Sequence, residues 1–94
     1  MNQKIVINPS IVFKRPSEDV LMLVSLDDNS HNMYKLTGVH IAIFDFIYEK
    51  KETTFLDLLQ HMLSKFEVDG EVLKKDLNAV LENFTTNEII LKNA

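Results

Sequence analysis

The chain has 94 residues, 46% apolar and 26% charged, with a net charge of −4 and no cysteine. That much Ile, Leu, Val and Phe can build a modest core in one domain, so disorder is excluded, and the missing thiols exclude disulfides, iron–sulfur clusters and zinc ribbons. An acidic balance argues against nucleic acid, whose binders neutralise phosphates with basic surfaces.

Met1 to Ser10 does not read as a signal peptide: it has one Lys, three consecutive apolar residues (Ile5, Val6, Ile7) and then Pro9. No apolar run approaches the roughly 20 residues that span a bilayer. A cytoplasmic chain with no membrane partner is the expectation.

Ile11 to Lys14 reads as a short strand bracketed by Pro9 and Pro16. Val20 to Leu26 is a continuous apolar run, too short for a helix, and predicts a central strand covered on both faces. Asp27-Asp28-Asn29-Ser30 is a turn, because short polar side chains bond their own backbone there. His31 to Leu36 predicts a third strand, with Tyr34 and Leu36 on one face and Met33 and Lys35 on the other.

Thr37 is placed to cap a first helix, from about Gly38 to Glu49. Its stripe is Val39, Ile43, Phe46 and Ile47, with Phe44 beside it. Lys50-Lys51-Glu52-Thr53 is a polar break. Thr54 caps a second helix, with Asp57 at the capping-box position, and Phe55, Leu58, Leu59, Met62 and Phe66 space as its core face. Asp69 caps a third, whose stripe is Leu73, Leu77, Val80 and Phe84. Thr85-Thr86-Asn87 ends it, Asn87 being suited to a left-handed turn, and Ile89-Ile90-Leu91 closes as a short strand. The fold class is therefore α+β: a small N-terminal three-stranded antiparallel sheet, three helices and a short C-terminal strand, an order compatible with a winged helix-turn-helix.

Chemistry is absent from this pattern. His31, His40 and His61 show no i,i+4 pair for a metal. A calcium loop starting at Asp27 fails, because Asn32 and Gly38 stand where Gly and Glu are required. Two glycines, Gly38 and Gly70, make no phosphate loop, and the serines lack a nucleophile elbow. No enzyme activity, cofactor or metal is expected.

Three binding readings remain. In a winged helix the third helix would read DNA, but from Asp69 to Phe84 it sets Lys74 and Lys75 against Asp69, Glu71, Asp76 and Glu82, a poor match to phosphates. The second is peptide addition to an open strand edge, with Lys35, Lys74 and Lys75 favouring an acidic peptide if they line one groove. A plain interaction domain that dimerises through the same edge is a third use.

The residues also carry a resemblance. The pattern begins at Asn8-Pro9-Ser10 and continues through Tyr34-Lys35-Leu36-Thr37, Ile43-Phe44, Thr54 and Phe66-Glu67-Val68-Asp69. It ends with Val72, Asp76, Leu77, Val80, Leu81 and Phe84 and then Ile89-Ile90. Over nearly its whole length the chain resembles the PqqD-like family, the standalone RiPP precursor-peptide recognition element. It departs at Thr37 (usually Asn), His40 (usually small), Phe44 (usually Trp) and Glu88 (usually Gly).

The resemblance implies one PqqD-like peptide-recognition domain over residues 1–94. Its implied work is non-catalytic: it binds the leader segment of a ribosomally made precursor by strand addition and acts as a peptide chaperone. The leader is then presented to a modifying enzyme, such as a radical SAM protein or a leader peptidase. Carried onto this chain, the strand wall is Asn32, Met33, Tyr34, Lys35 and Leu36, and the helix wall includes Lys74, Lys75, Asn78 and Leu81. Asp76 matches a family-typical acid that either contacts peptide or orients the scaffold.

Overall fold

The computed structural model describes residues 3–26 and 33–93. The predicted Asp27–Ser30 turn, His31 and Asn32 lie outside the described residues. In chain order the elements are β1 (Lys4–Ile7), β2 (Ile11–Ser17), β3 (Val20–Ser25), β4 (Met33–Leu36), α1 (Val39–Lys50), β5 (Glu52–Thr54), α2 (Phe55–Lys65), α3 (Gly70–Thr86) and β6 (Ile90–Asn93).

The predicted antiparallel sheet is present, in the order β2-β3-β4, with β3 central. Only one face of β3 is fully covered: Leu21, Leu23 and Ser25 are buried, whereas Val20, Met22 and Val24 are half-buried. The buried face packs on α1. Phe13 of β2 meets Phe44 and Tyr48 edge-on, with ring centroids 5.6 and 4.9 Å apart, and Arg15 pairs with Asp45 at 2.6 Å. β2 also passes through Pro16 to Ser17 instead of stopping at Lys14, with a register irregularity between Lys14 and Ser17. An edge strand tolerates proline, because a missing N–H on its open side leaves no ladder bond unmade.

A second sheet, order β5-β1-β6, was not expected. The polar break after α1 becomes β5, and the N-terminal Lys4–Ile7 becomes the central strand. Ile5 pairs with Thr53 and Lys92, and Ile7 with Ile90, so the two chain ends are stitched together. Ile5, Ile89 and Ile90 are buried in the same core as Phe44, Leu58, Met62, Leu77 and Phe84.

Asn8 anchors this junction. Its Nδ2 donates to the Glu88 carbonyl at 2.8 Å, and its Oδ1 accepts from the Ser10 N–H at 3.0 Å. Its own N–H donates to the Ile89 carbonyl at 2.9 Å. A buried amide keeps its stability by satisfying these groups.

Three helix details depart from expectation. Gly38, not Thr37, caps α1, and no side chain bonds the first turn. The turn out of β4 needs φ 58 at that residue, which glycine adopts without a Cβ clash. Within α1, Phe44 and Ile41 are buried, whereas Val39 is 38% exposed. The third departure is at the end of α3. Asn87 sits at φ −87, and Glu88 takes the left-handed turn at φ 59. By contrast Thr54 accepts from the Asp57 N–H, and Asp69 from those of Glu71 and Val72, as expected.

Two stability predictions arise here. A side chain in the left-handed region costs about 1–2 kcal/mol. Glu88→Gly should therefore raise the thermal midpoint by about 4–8 °C per kcal/mol recovered, read by circular dichroism. Ser25 is 3% exposed, and its Oγ has no hydrogen-bond partner among the described residues. Ser25→Ala removes a desolvated hydroxyl and should stabilise by about 1 kcal/mol in urea titration. A loss of stability instead would mean that the hydroxyl is satisfied.

Candidate functional site

Among the described residues β4 is an edge strand, paired with β3 alone, through Leu21–Leu36, Met22–Lys35, Leu23–Tyr34 and Val24–Met33. Its other side presents unpaired N–H and C=O groups in a row, a template for a further strand. Side chains alternate as expected. Leu36 is buried and Tyr34 half-buried toward the core, while Met33 and Lys35 stand exposed on the opposite face. Asn32 lies outside the described residues.

Where β4 ends, the chain turns through Thr37 and Gly38 into α1, and the first helical residue, Val39, meets α3. Val39, Phe66, Val68, Val72, Leu73 and Asp76 line a recess of about 180 Å³. Val68 and Val72 are half exposed at its rim. The one carboxylate there is Asp76, so charge at this spot is negative.

The predicted helix wall, Lys74, Lys75, Asn78 and Leu81, does not line this recess. Residues 100° apart per step put Val72 and Asp76 on one flank, and Lys74 and Asn78 on the other. Lys74, Lys75 and Asn78 line a shallow surface with Glu71 and Val72. Asn78 and Leu81 also line a recess of about 220 Å³ with Gln3, Ile5, Phe55 and Lys92, against the second sheet. Leu81 itself is 2% exposed and belongs to the core. Lys35 lines neither surface.

Sequence reasoning missed Val39, Phe66, Val68 and Val72 as a lining. The available signal was Val68 and Val72 flanking the Asp69 cap, off the Leu73–Leu77 stripe.

Among the described residues no group of three or more His, Asp or Glu could hold a metal ion. His61 stacks on Phe46 at 4.3 Å and His40 approaches Phe84 at 6.2 Å, each on its own helix. No helix among the described residues is long and apolar enough to cross a membrane.

No family model matches the chain, and neither does any curated protein. Solved structures do. One is TbiB1 in complex with the TbiA(beta) leader peptide, similar at TM-score 0.78 and 19% identity over 90% of this chain and 93% of that one. Another is a lasso peptide synthetase B1 complexed with the leader peptide, at TM-score 0.74 and 18% identity over 93% of this chain and 96% of that one. At these identities the likeness establishes the fold: this chain has the architecture of two proteins solved with a leader peptide bound.

Proposed function

We propose that the chain is a non-catalytic peptide-binding protein. It takes the leader segment of a ribosomally synthesised precursor as an added strand on β4 and presents it to a modifying enzyme. The observation that carries this reading is the open edge of β4, from which the chain runs through Thr37 and Gly38 to Val39 in an apolar recess against α3. Backbone bonds along the edge supply affinity whatever the sequence, and the recess selects a side chain. The two similar structures, each solved with a leader peptide, support the same use of the fold.

The strand wall in this reading is Met33, Tyr34, Lys35 and Leu36, with Asn32 preceding it. Val39 of α1 and Val72 and Asp76 of α3 form the helix side. Lys74, Lys75 and Asn78 stand on the far flank and act on a longer peptide or on solubility. A modifying enzyme, radical SAM or peptidase, completes the reaction, and the chain works in the cytoplasm, where the precursor is made.

The test is direct titration of a fluorescent synthetic leader, taken from a short precursor reading frame located beside this chain's gene, followed by anisotropy. Binding at about 1 μM or tighter is expected, equivalent to about −8 kcal/mol. Val72→Asp should weaken it at least tenfold, by adding charge to a recess that already holds Asp76. No binding by the unsubstituted chain would sink the proposal.

A further inference from the structure

Asn78 and Leu81 take no part in the recess beside Val39. They close a separate one, of about 220 Å³, between α3, the start of α2 and the second sheet. Its floor is apolar: Ile5 and Leu81 are each 2% exposed, and Phe55 stands half-buried at one side. Its rim is polar, with Gln3, Asn78 and Lys92 exposed around the mouth.

Register explains the lysine. Lys92 pairs with Ile5, and Ile5 with Thr53, so the three share one face of the sheet. That face turns inward, because Ile5 and Thr53 are buried and so is Ile90, two residues before Lys92. The inward row therefore ends in an ammonium over the recess. Asn78 joins the recess to the shallow surface that bears Lys74, Lys75 and Glu71. Three lysines and one carboxylate thus border a single apolar slot, in a chain whose net charge is −4. Among the described residues none of these lysines forms a salt bridge, and Glu52, on the opposite face of the sheet, is held by Lys4 at 3.2 Å.

We infer that this second recess holds a further, acidic segment of the same precursor, which places one apolar side chain in the slot and carboxylates beside Lys74, Lys75 and Lys92. This second contact rests on the peptide reading above and extends it. Charge and size select the occupant. Lysines without partners attract carboxylates and repel a basic segment. The slot is smaller than the roughly 300–1,000 Å³ of pockets that hold a free ligand, and exposed ion pairs add little each. Such a site is too weak for a partner arriving from solution. A segment tethered through β4 meets it at an effective concentration of about millimolar, where a weak contact is filled. The span is short enough, since about 12 extended residues reach the molecule's longest dimension, 39 Å.

The test compares two fluorescent synthetic peptides by anisotropy on the full chain. One is the entire precursor, from the reading frame located beside this chain's gene. The other is the shortest fragment of it whose binding Lys35→Pro abolishes. The entire precursor should bind at least tenfold tighter at low salt, with the advantage shrinking as salt rises. Lys74→Gln with Lys75→Gln, and separately Lys92→Gln, should each cut that advantage at least threefold while fragment affinity stays within twofold. Lys74 and Lys75 are exposed, so their double variant keeps the test valid if Lys92→Gln disturbs the sheet. Equal affinity of the two peptides, or an advantage that both variants keep, overturns the second contact and leaves binding at β4 standing. A dimer by light scattering that the double variant dissolves would assign the surface to self-association and overturn it as well. If neither peptide binds, the peptide reading itself fails and the second contact falls with it.

Discussion

Proline scanning of β4 should yield one variant that stays folded and loses the peptide. Consecutive N–H groups of an antiparallel strand point to opposite edges. Of Tyr34 and Lys35, one donates into the β3 ladder and the other faces the open side. Proline at the ladder position removes a bond within the sheet and destabilises the chain by up to about 3 kcal/mol, the scale for a misplaced proline. Proline at the open position removes a donor that only an incoming strand would use, and its ring obstructs that strand. Lys35→Pro is the variant expected to behave this way, with leader binding reduced more than tenfold and the helical circular dichroism kept. If both variants remain folded and bind leader as the unsubstituted chain does, strand addition at β4 is wrong.

The largest loss of stability is expected at Phe44→Ala. Phe44 is fully buried and sits between β2 and the rest of the core. Its ring is edge-on to Phe13 at 5.6 Å and stacked with Tyr48 at 6.1 Å. Truncating such a phenylalanine costs about 3–5 kcal/mol, from lost transfer energy and from the cavity left behind. A domain of this size is stable by only about 5–15 kcal/mol, so the variant should lose a large share of its stability. Urea titration should show the midpoint falling by about half, with the slope unchanged. A cost below about 1 kcal/mol would mean that the sheet and α1 do not depend on this ring. Since α1 also carries Val39 of the recess, peptide affinity should fall with the fold.

Local chemistry was readable from the residues alone. Thr54 and Asp69 cap their helices because a short oxygen-bearing side chain reaches an orphan N–H wherever the chain enters a helix. The alternation of β4 and the core stripes of α2 and α3 follow from the periods 2 and 3.6, which need no tertiary knowledge. Where two local signals competed, the sequence misled. Thr37 looked like a cap, but the sharp turn from β4 required the positive φ that Gly38 supplies.

The edge that we propose binds peptide was visible in the sequence as a third strand, and its apolar counterpart on α3 was not. A strand's exposed edge is a property of its own segment and neighbours. A recess forms only when separate segments meet: Val39, Val68 and Val72 are unremarkable until α1, α2 and α3 bring them together. The second sheet has the same origin. Glu52–Thr54 is too short and too polar to announce a strand, and it becomes one because β1, from the other end of the chain, offers its backbone. The sequence by itself determined the order of the main elements, the caps of α2 and α3 and the absence of a recognisable catalytic motif. The tertiary structure decided which flank of α3 faces Val39 of α1, setting Val72 and Asp76 in that recess and Asn78 against the second sheet, because helix rotation is fixed by core packing of Leu73, Leu77, Leu81 and Phe84.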